Sequence, residues 1–110
     1  MMKKMDPKVK ALWVADLIEH RDKQCYGALH CQDRFCPLGR LVEVMNFDKW
    51  TNAAVPYRYK LQKSGEMIAL PKKLRKQVGL SKEAQRHIVL MNDTGRMPFP
   101  QIAEWIEENL

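Results

Sequence analysis

Cys25, His30, Cys31 and Cys36 fall within twelve consecutive residues and include every cysteine of the chain. Thiols and an imidazole at that density suit three kinds of chemistry: a metal site, a reactive thiolate, or a piece of packed core. A structural zinc site needs three or four converging ligands, most often two Cys-x2-Cys units or their histidine equivalents. Here the successive spacings are five, one and five residues. Adjacent His30 and Cys31 would point to opposite faces of a strand, so one ion would not easily take both. Cys25, Cys31 and Cys36 stay as metal candidates, with His20 or His87 as a distant fourth ligand.

Thiol catalysis asks for a nucleophile, a base and a group that orients the base. Cys36 precedes Pro37 at an apparent helix start, where exposed N–H groups and the helix dipole can lower a thiol pKa. His30 across a short hairpin, with Asp33 or Asp93, would complete a triad, although no spacing ties these parts together. There is no glycine-rich phosphate loop, no His-Glu-x-x-His pair and no framed carboxylate pair. The balance favours a non-enzymatic protein that needs no cofactor, with Cys36 and His30 as the catalytic alternatives.

The elements that would position this cluster can be read from periodicity and punctuation. Asp6 suits an N-cap and Pro7 the first helical position, ahead of Val9, Leu12, Trp13 and Leu17 at helical spacing, with Val14 and Ile18 widening the stripe. That helix should end near His20. Tyr26 to Phe35 reads as a hairpin turning at Gln32-Asp33, followed by a helix from Pro37 with Leu38, Leu41, Val42 and Met45 on one side. Tyr57–Leu61 and Met67–Leu70 flank a polar turn, Lys63-Ser64-Gly65-Glu66, and read as a second hairpin in which Tyr57 and Tyr59 share a face.

Leu70-Pro71 opens a short helix that stops at Gly79, and Ser81 caps the next, with Ala84, Ile88 and Met91 inward. A last helix carries Phe99, Ile102, Ala103, Ile106 and Leu110 on one stripe. A chain of 110 residues has room for one domain. The expectation is a single α+β domain over 1–110, of four to five helices with one or two short antiparallel β-hairpins. No run approaches the roughly 20 apolar residues of a membrane span, and the first residues lack the apolar stretch of a secretory signal. With an odd number of cysteines besides, the reading is a cytoplasmic protein with reduced thiols and no membrane partner.

The formal charge is +6, and its placement matters more than its size. Residues 1–47 contribute +2, residues 48–87 contribute +7 and residues 88–110 contribute −3. A cationic middle attracts nucleic acid, or an acidic protein surface, through its field and through counterion release. Arg58, Lys60, Lys63, Lys72, Lys73 and Lys76 are the candidate contacts, with Tyr57 and Trp50 as stacking or packing partners. Solvation alone would also account for such a charge run. Trp105, beside Glu104, Glu107 and Glu108, is a separate candidate for protein contact.

Tyr26-Gly27-Ala28-Leu29, then Phe35-Cys36-Pro37-Leu38-Gly39-Arg40-Leu41, and later Leu70-Pro71, Val78-Gly79-Leu80, Leu90-Met91-Asn92-Asp93-Thr94-Gly95 and Phe99-x-x-Ile102-Ala103-x-x-Ile106-Glu107 occur in an order that spans most of the chain. In this the sequence resembles a family of small uncharacterised proteins from tailed phages and bacterial prophages. Cys36 matches that pattern, whereas Pro37 stands where the family usually has a second cysteine. The resemblance implies a phage or prophage accessory protein, one that binds host or phage macromolecules and so acts on a host defence or on host nucleic-acid machinery. A protein–protein inhibitor is the alternative to nucleic-acid binding, and a Cys36 thiol enzyme or zinc-stabilised module is the third reading.

Overall fold

The computed structural model describes residues 2–110 as five helices and two small antiparallel sheets, a compact α+β domain. α1 (Pro7–Glu19) begins where expected. Asp6 Oδ1 accepts the N–H groups of Lys8 at 2.8 Å and Val9 at 3.2 Å, and Pro7 occupies the first turn, where its missing N–H costs nothing. Only Trp13 and Leu17 of this helix are fully buried. Leu12 and Ile18, read as part of the inward stripe, are 59% and 43% exposed. The 100° step between helical residues turns them off the narrow seam that Trp13 and Leu17 bury against the last helix.

α2 (Pro37–Met45) follows Cys36 and ends at Asn46, a residue in the left-handed conformation that Asn tolerates. Trp13 Nε1 donates to the Pro37 carbonyl at 2.8 Å, which satisfies the indole N–H in a fully buried position. Between α1 and α2, Asp16 and Arg40 form a two-pronged ion pair, Nε to Oδ2 and Nη2 to Oδ1, both 2.8 Å. α3 (Lys72–Val78) stops at Gly79, whose φ of 75° closes the last turn. α4 (Lys82–Asp93) starts on Ser81, whose Oγ accepts the Ala84 N–H, and α5 (Phe99–Asn109) buries Phe99, Ile102, Ala103 and Ile106. Met5 N donates to the Leu110 carbonyl and Asp6 N to that of Val78, so both chain ends meet beside α3.

β1 (His30–Cys31) pairs with β2 (Arg34–Phe35), and β3 (Trp50–Asn52) pairs with β4 (Tyr59–Leu61). The first hairpin turns at Gln32-Asp33 as expected, but it is shorter than the expected Tyr26 to Phe35: only His30–Cys31 and Arg34–Phe35 pair, and Tyr26–Leu29 forms no strand. The second corrects the sequence reading: Tyr59–Leu61 pairs backwards with Trp50–Asn52, and Met67–Leu70 forms no strand. The turn closes through Leu61 N–H to Glu66 O and Gly65 N–H to Leu61 O, and beyond it the chain leaves β4. Instead its carbonyl accepts the Leu29 N–H at 2.8 Å, and Leu70 N donates to Gln85 Oε1. Tyr57 is likewise outside the strand. The two sheets meet through a Cys31–Arg58 bridge and a Gln32 N–H to Tyr57 carbonyl bond of 3.0 Å, while Gln24 bridges to Phe35 on the far side.

Candidate functional site

The register sorts the hairpin residues onto two faces. Opposed His30 and Phe35, with Trp50, Tyr59 and Leu61, lie on the side covered by α2. There the His30 ring is sandwiched, 4.0 Å from Phe35 and 4.4 Å from Tyr59, with Trp50 edge-on at 4.8 Å. Arg40 caps the far side of Phe35 at 4.8 Å, and Trp50 Nε1 donates to Glu43 Oε2. Burial in this stack lowers the His30 pKa below its usual 6.5, because a charged imidazole would lose its hydration. His30 is therefore a packing residue, and Trp50 packs with it.

The thiols are no better placed for catalysis. Cys36 is buried, and burial pushes its thiol up to about 12. Its place at the start of α2 does not overcome that desolvation, which reverses the expectation of a lowered pKa. Cys25 is also raised, chiefly by burial, and its Sγ–H points to the Ala28 carbonyl at 3.7 Å. The two carboxylates proposed to orient a base are engaged elsewhere. Asp33 pairs with Lys23 at 2.9 Å, and Asp93 Oδ1 accepts the Gly27 N–H and an amide hydrogen of Asn92. Among the described residues no three His, Cys, Asp or Glu side chains converge to hold a metal, so Cys25, Cys31 and Cys36 do not form a ligand set. All three cysteines are free.

The polar cluster that organises this end of the molecule is built on Asn92, which is fully buried on α4. Its Oδ1 accepts from Gln24 Nε2 at 2.7 Å and its Nδ2 donates to the Cys25 carbonyl at 3.0 Å. Gln24 in turn reaches the Met97 carbonyl and the Phe99 N–H. The Asn-Asp pair thus locks the loop before β1 to the start of α5, a structural use for Asp93 in place of the catalytic one.

The opposite face of the hairpins carries Cys31, Arg34, Thr51, Arg58 and Lys60, by alternation from the buried row. Arg58 is anchored, Nη1 donating to the Gly27 carbonyl at 3.0 Å, while Lys60 is half-buried and Lys63 exposed at the turn sealed by Asp48. Arg34 joins this row although its position in the sequence gave no hint of it; the pairing register supplies the signal. The loop from Ala53 to Arg58 stands out from the sheet around a concavity of about 470 Å³. Tyr57 is at its tip, 73% exposed and with a φ of 62°. Left-handed backbone is rare for a bulky residue, and it throws this ring outward instead of letting it cover the core.

Lys72, Lys73 and Lys76 are exposed on α3, beside the chain ends rather than on the hairpins. The structure thus divides the six candidate cations between two elements. Trp105 of α5 is half-buried and stacked on His87 of α4 at 5.8 Å, the boundary position of a core-completing aromatic. No helix among the described residues is long and apolar enough to cross a membrane.

Residues 5–110 match the model of a family described as Domain of unknown function (DUF8296). No curated protein and no solved structure matches the chain.

Proposed function

The chain belongs to the DUF8296 family, and on that premise we propose that it is a non-enzymatic binding protein whose working surface is the outer side of the β3–β4 hairpin, engaging single-stranded nucleic acid. The observation that carries this reading is Tyr57, an aromatic ring held 73% exposed by a left-handed backbone next to Arg58 and Lys60. Strain of that kind costs on the order of 1–3 kcal/mol and clusters at functional sites, and Tyr57 is the one aromatic among the four described non-glycine residues with positive φ. An outward ring among cations is a stacking platform for a base, with phosphates on the lysines. Lys72, Lys73 and Lys76 add long-range field from α3. A phage or prophage accessory protein that binds a host nucleic-acid complex remains the biological setting we propose for it. The alternative is an acidic protein surface, which the same cations would attract.

The test is fluorescence anisotropy with a labelled single-stranded oligonucleotide of about 15 nucleotides, within the site sizes such surfaces span. Three contacts at Arg58, Lys60 and Lys63 predict a log–log salt slope near −2, at about 0.7 per contact on single strands. Tyr57→Gly should weaken binding roughly 5- to 100-fold through lost stacking. The same substitution should leave the fold as stable or up to about 1 kcal/mol more stable, since glycine accepts this φ. Binding unchanged by Tyr57→Gly and by Lys60→Glu would defeat the reading. An affinity pull-down from cell lysate, with and without nuclease, separates the alternatives: a protein retained after nuclease points to the acidic-surface reading.

A further inference from the structure

Sharing no lining residue with the hairpin concavity, Ile68, Ala69, Gln85, Val89 and Leu90 line an apolar groove of about 570 Å³. Ile68 is 56% and Leu90 49% exposed, which is unusual for two aliphatic side chains bordering one groove. Both walls are fixed. One is α4, and the other is the irregular Met67–Leu70 segment, tied down by Leu29 N–H to Met67 O and by Leu70 N–H to Gln85 Oε1. The groove therefore exists without rearrangement. Its lining runs along α4 from Lys82 to Leu90, which at 1.5 Å per residue is about 12 Å, the length of roughly two helical turns.

The rim chooses the occupant. Lys82 and Arg86, one turn apart on α4, are exposed and form no ion pair among the described residues, and Glu83 is the one acid on the lining. We infer that this groove docks an acidic amphipathic helix of a partner protein, with aliphatic anchors against Ile68, Val89 and Leu90 and carboxylates toward Lys82 and Arg86. Aliphatic anchors at i, i+3, i+4 and i+7 meet such a groove along one face, leaving the flanks to carry charge. This surface is separate from the hairpin face around Tyr57 and does not depend on it.

The test uses the full chain and two labelled synthetic peptides of about 18 residues, long enough for several helical turns. Both carry the same leucines at helical spacing; one fills the remaining positions with glutamate and the other with lysine. Anisotropy should show micromolar binding of the acidic peptide and at least tenfold weaker binding of the basic one. Leu90→Glu and Ile68→Glu should each weaken the acidic peptide tenfold or more, whereas Leu12→Ser, an exposed apolar residue on α1, should not. Lys82→Glu with Arg86→Glu should reverse the preference. Circular dichroism and thermal melting check that each variant folds.

Equal binding of the two peptides, or indifference to Leu90→Glu, overturns the inference. So does displacement of the acidic peptide by a single-stranded oligonucleotide, which would make the groove part of one general cationic surface. Sedimentation that finds a wild-type dimer dissolved by Leu90→Glu also overturns it, because the occupant would then be a second copy.

Discussion

Gly39→Ala should destabilise the protein, although helix propensity alone says the reverse. Alanine is favoured over glycine within a helix by up to about 1 kcal/mol. Gly39, however, lies in the first turn of α2 where that turn rests on the backbone of Leu29. A Cβ there would land against the Leu29 carbonyl oxygen, 2.9 Å from its carbon and 3.3 Å from Phe35 Cδ2. A backbone neighbour cannot swing aside, so α2 must withdraw. Two hydrogen bonds hold the start of α2 in place, Cys36 N–H to Leu29 O at 3.1 Å across that contact and Trp13 Nε1 to Pro37 O at 2.8 Å from α1.

Losing both costs about 2 kcal/mol, and overpacking adds about 1–3 kcal/mol. Set against the propensity gain, the net is a loss of about 2–4 kcal/mol, a large part of the usual 5–15 kcal/mol of a domain. Urea unfolding followed by tryptophan fluorescence, with buried Trp13 as reporter, measures it. At a slope of about 1–3 kcal/mol/M, the midpoint should fall by roughly 1–2 M. A midpoint unchanged or raised would refute the close approach of α2 to Leu29.

Asn92→Leu removes the amide that joins Gln24 to the Cys25 carbonyl. Leaving that carbonyl unpaired should cost about 1–3 kcal/mol and lower the melting midpoint by about 10 °C. Acid should weaken the fold through His30: its folded pKa lies below 6.5, so as pH drops beneath 6.5 the unfolded chain takes up a proton that the folded one refuses. Stability from this group is full above 6.5 and is lost as pH falls through the folded value. Urea midpoints between pH 7 and about 5 should therefore decline in the wild type and less steeply in His30→Phe. With its thiol pushed up to about 12, Cys36 should resist iodoacetamide at neutral pH, reacting at least about 100-fold slower than in the urea-unfolded chain. Peptide mapping by mass spectrometry reads this directly, and prompt alkylation of Cys36 would show that it is accessible.

Helix boundaries were legible because their signals are local. Asp6-Pro7, Cys36-Pro37, Gly79 and Ser81 each act on backbone groups within a few residues, and each marks a real end. Strand pairing was not, since it depends on partners. Trp50-Thr51-Asn52 is too short to show an alternation, while Met67-Ile68-Ala69-Leu70 looked strand-like because it is apolar, and its Ile68 faces the groove instead. The ion pair of Asp16 with Arg40 spans 24 residues and the Gln24–Asn92 bond spans 68, distances at which sequence spacing carries no information. The same holds for the site. The cations at Arg58, Lys60 and Lys63 could be read from composition, but the outward turn of Tyr57 and the stacking that engages His30, the catalytic candidate, and Trp50, the candidate stacking partner, come from register and backbone conformation.

The seating of α1 on α5 also has a bearing on how the chain is made. These are the most extensively packed helices in the molecule, and 79 residues separate the end of α1 at Glu19 from the start of α5 at Phe99. At a synthesis rate of about 5–20 residues per second, some 4–16 s pass between their appearances. For that interval the seam of Trp13 and Leu17 has α2 but not α5 to cover it, and the closing contact is one of long loop closure. Slow translation of the central segment would lengthen the exposure, so yield in a cell should follow ribosome speed and chaperone supply more closely than the stability of the finished domain.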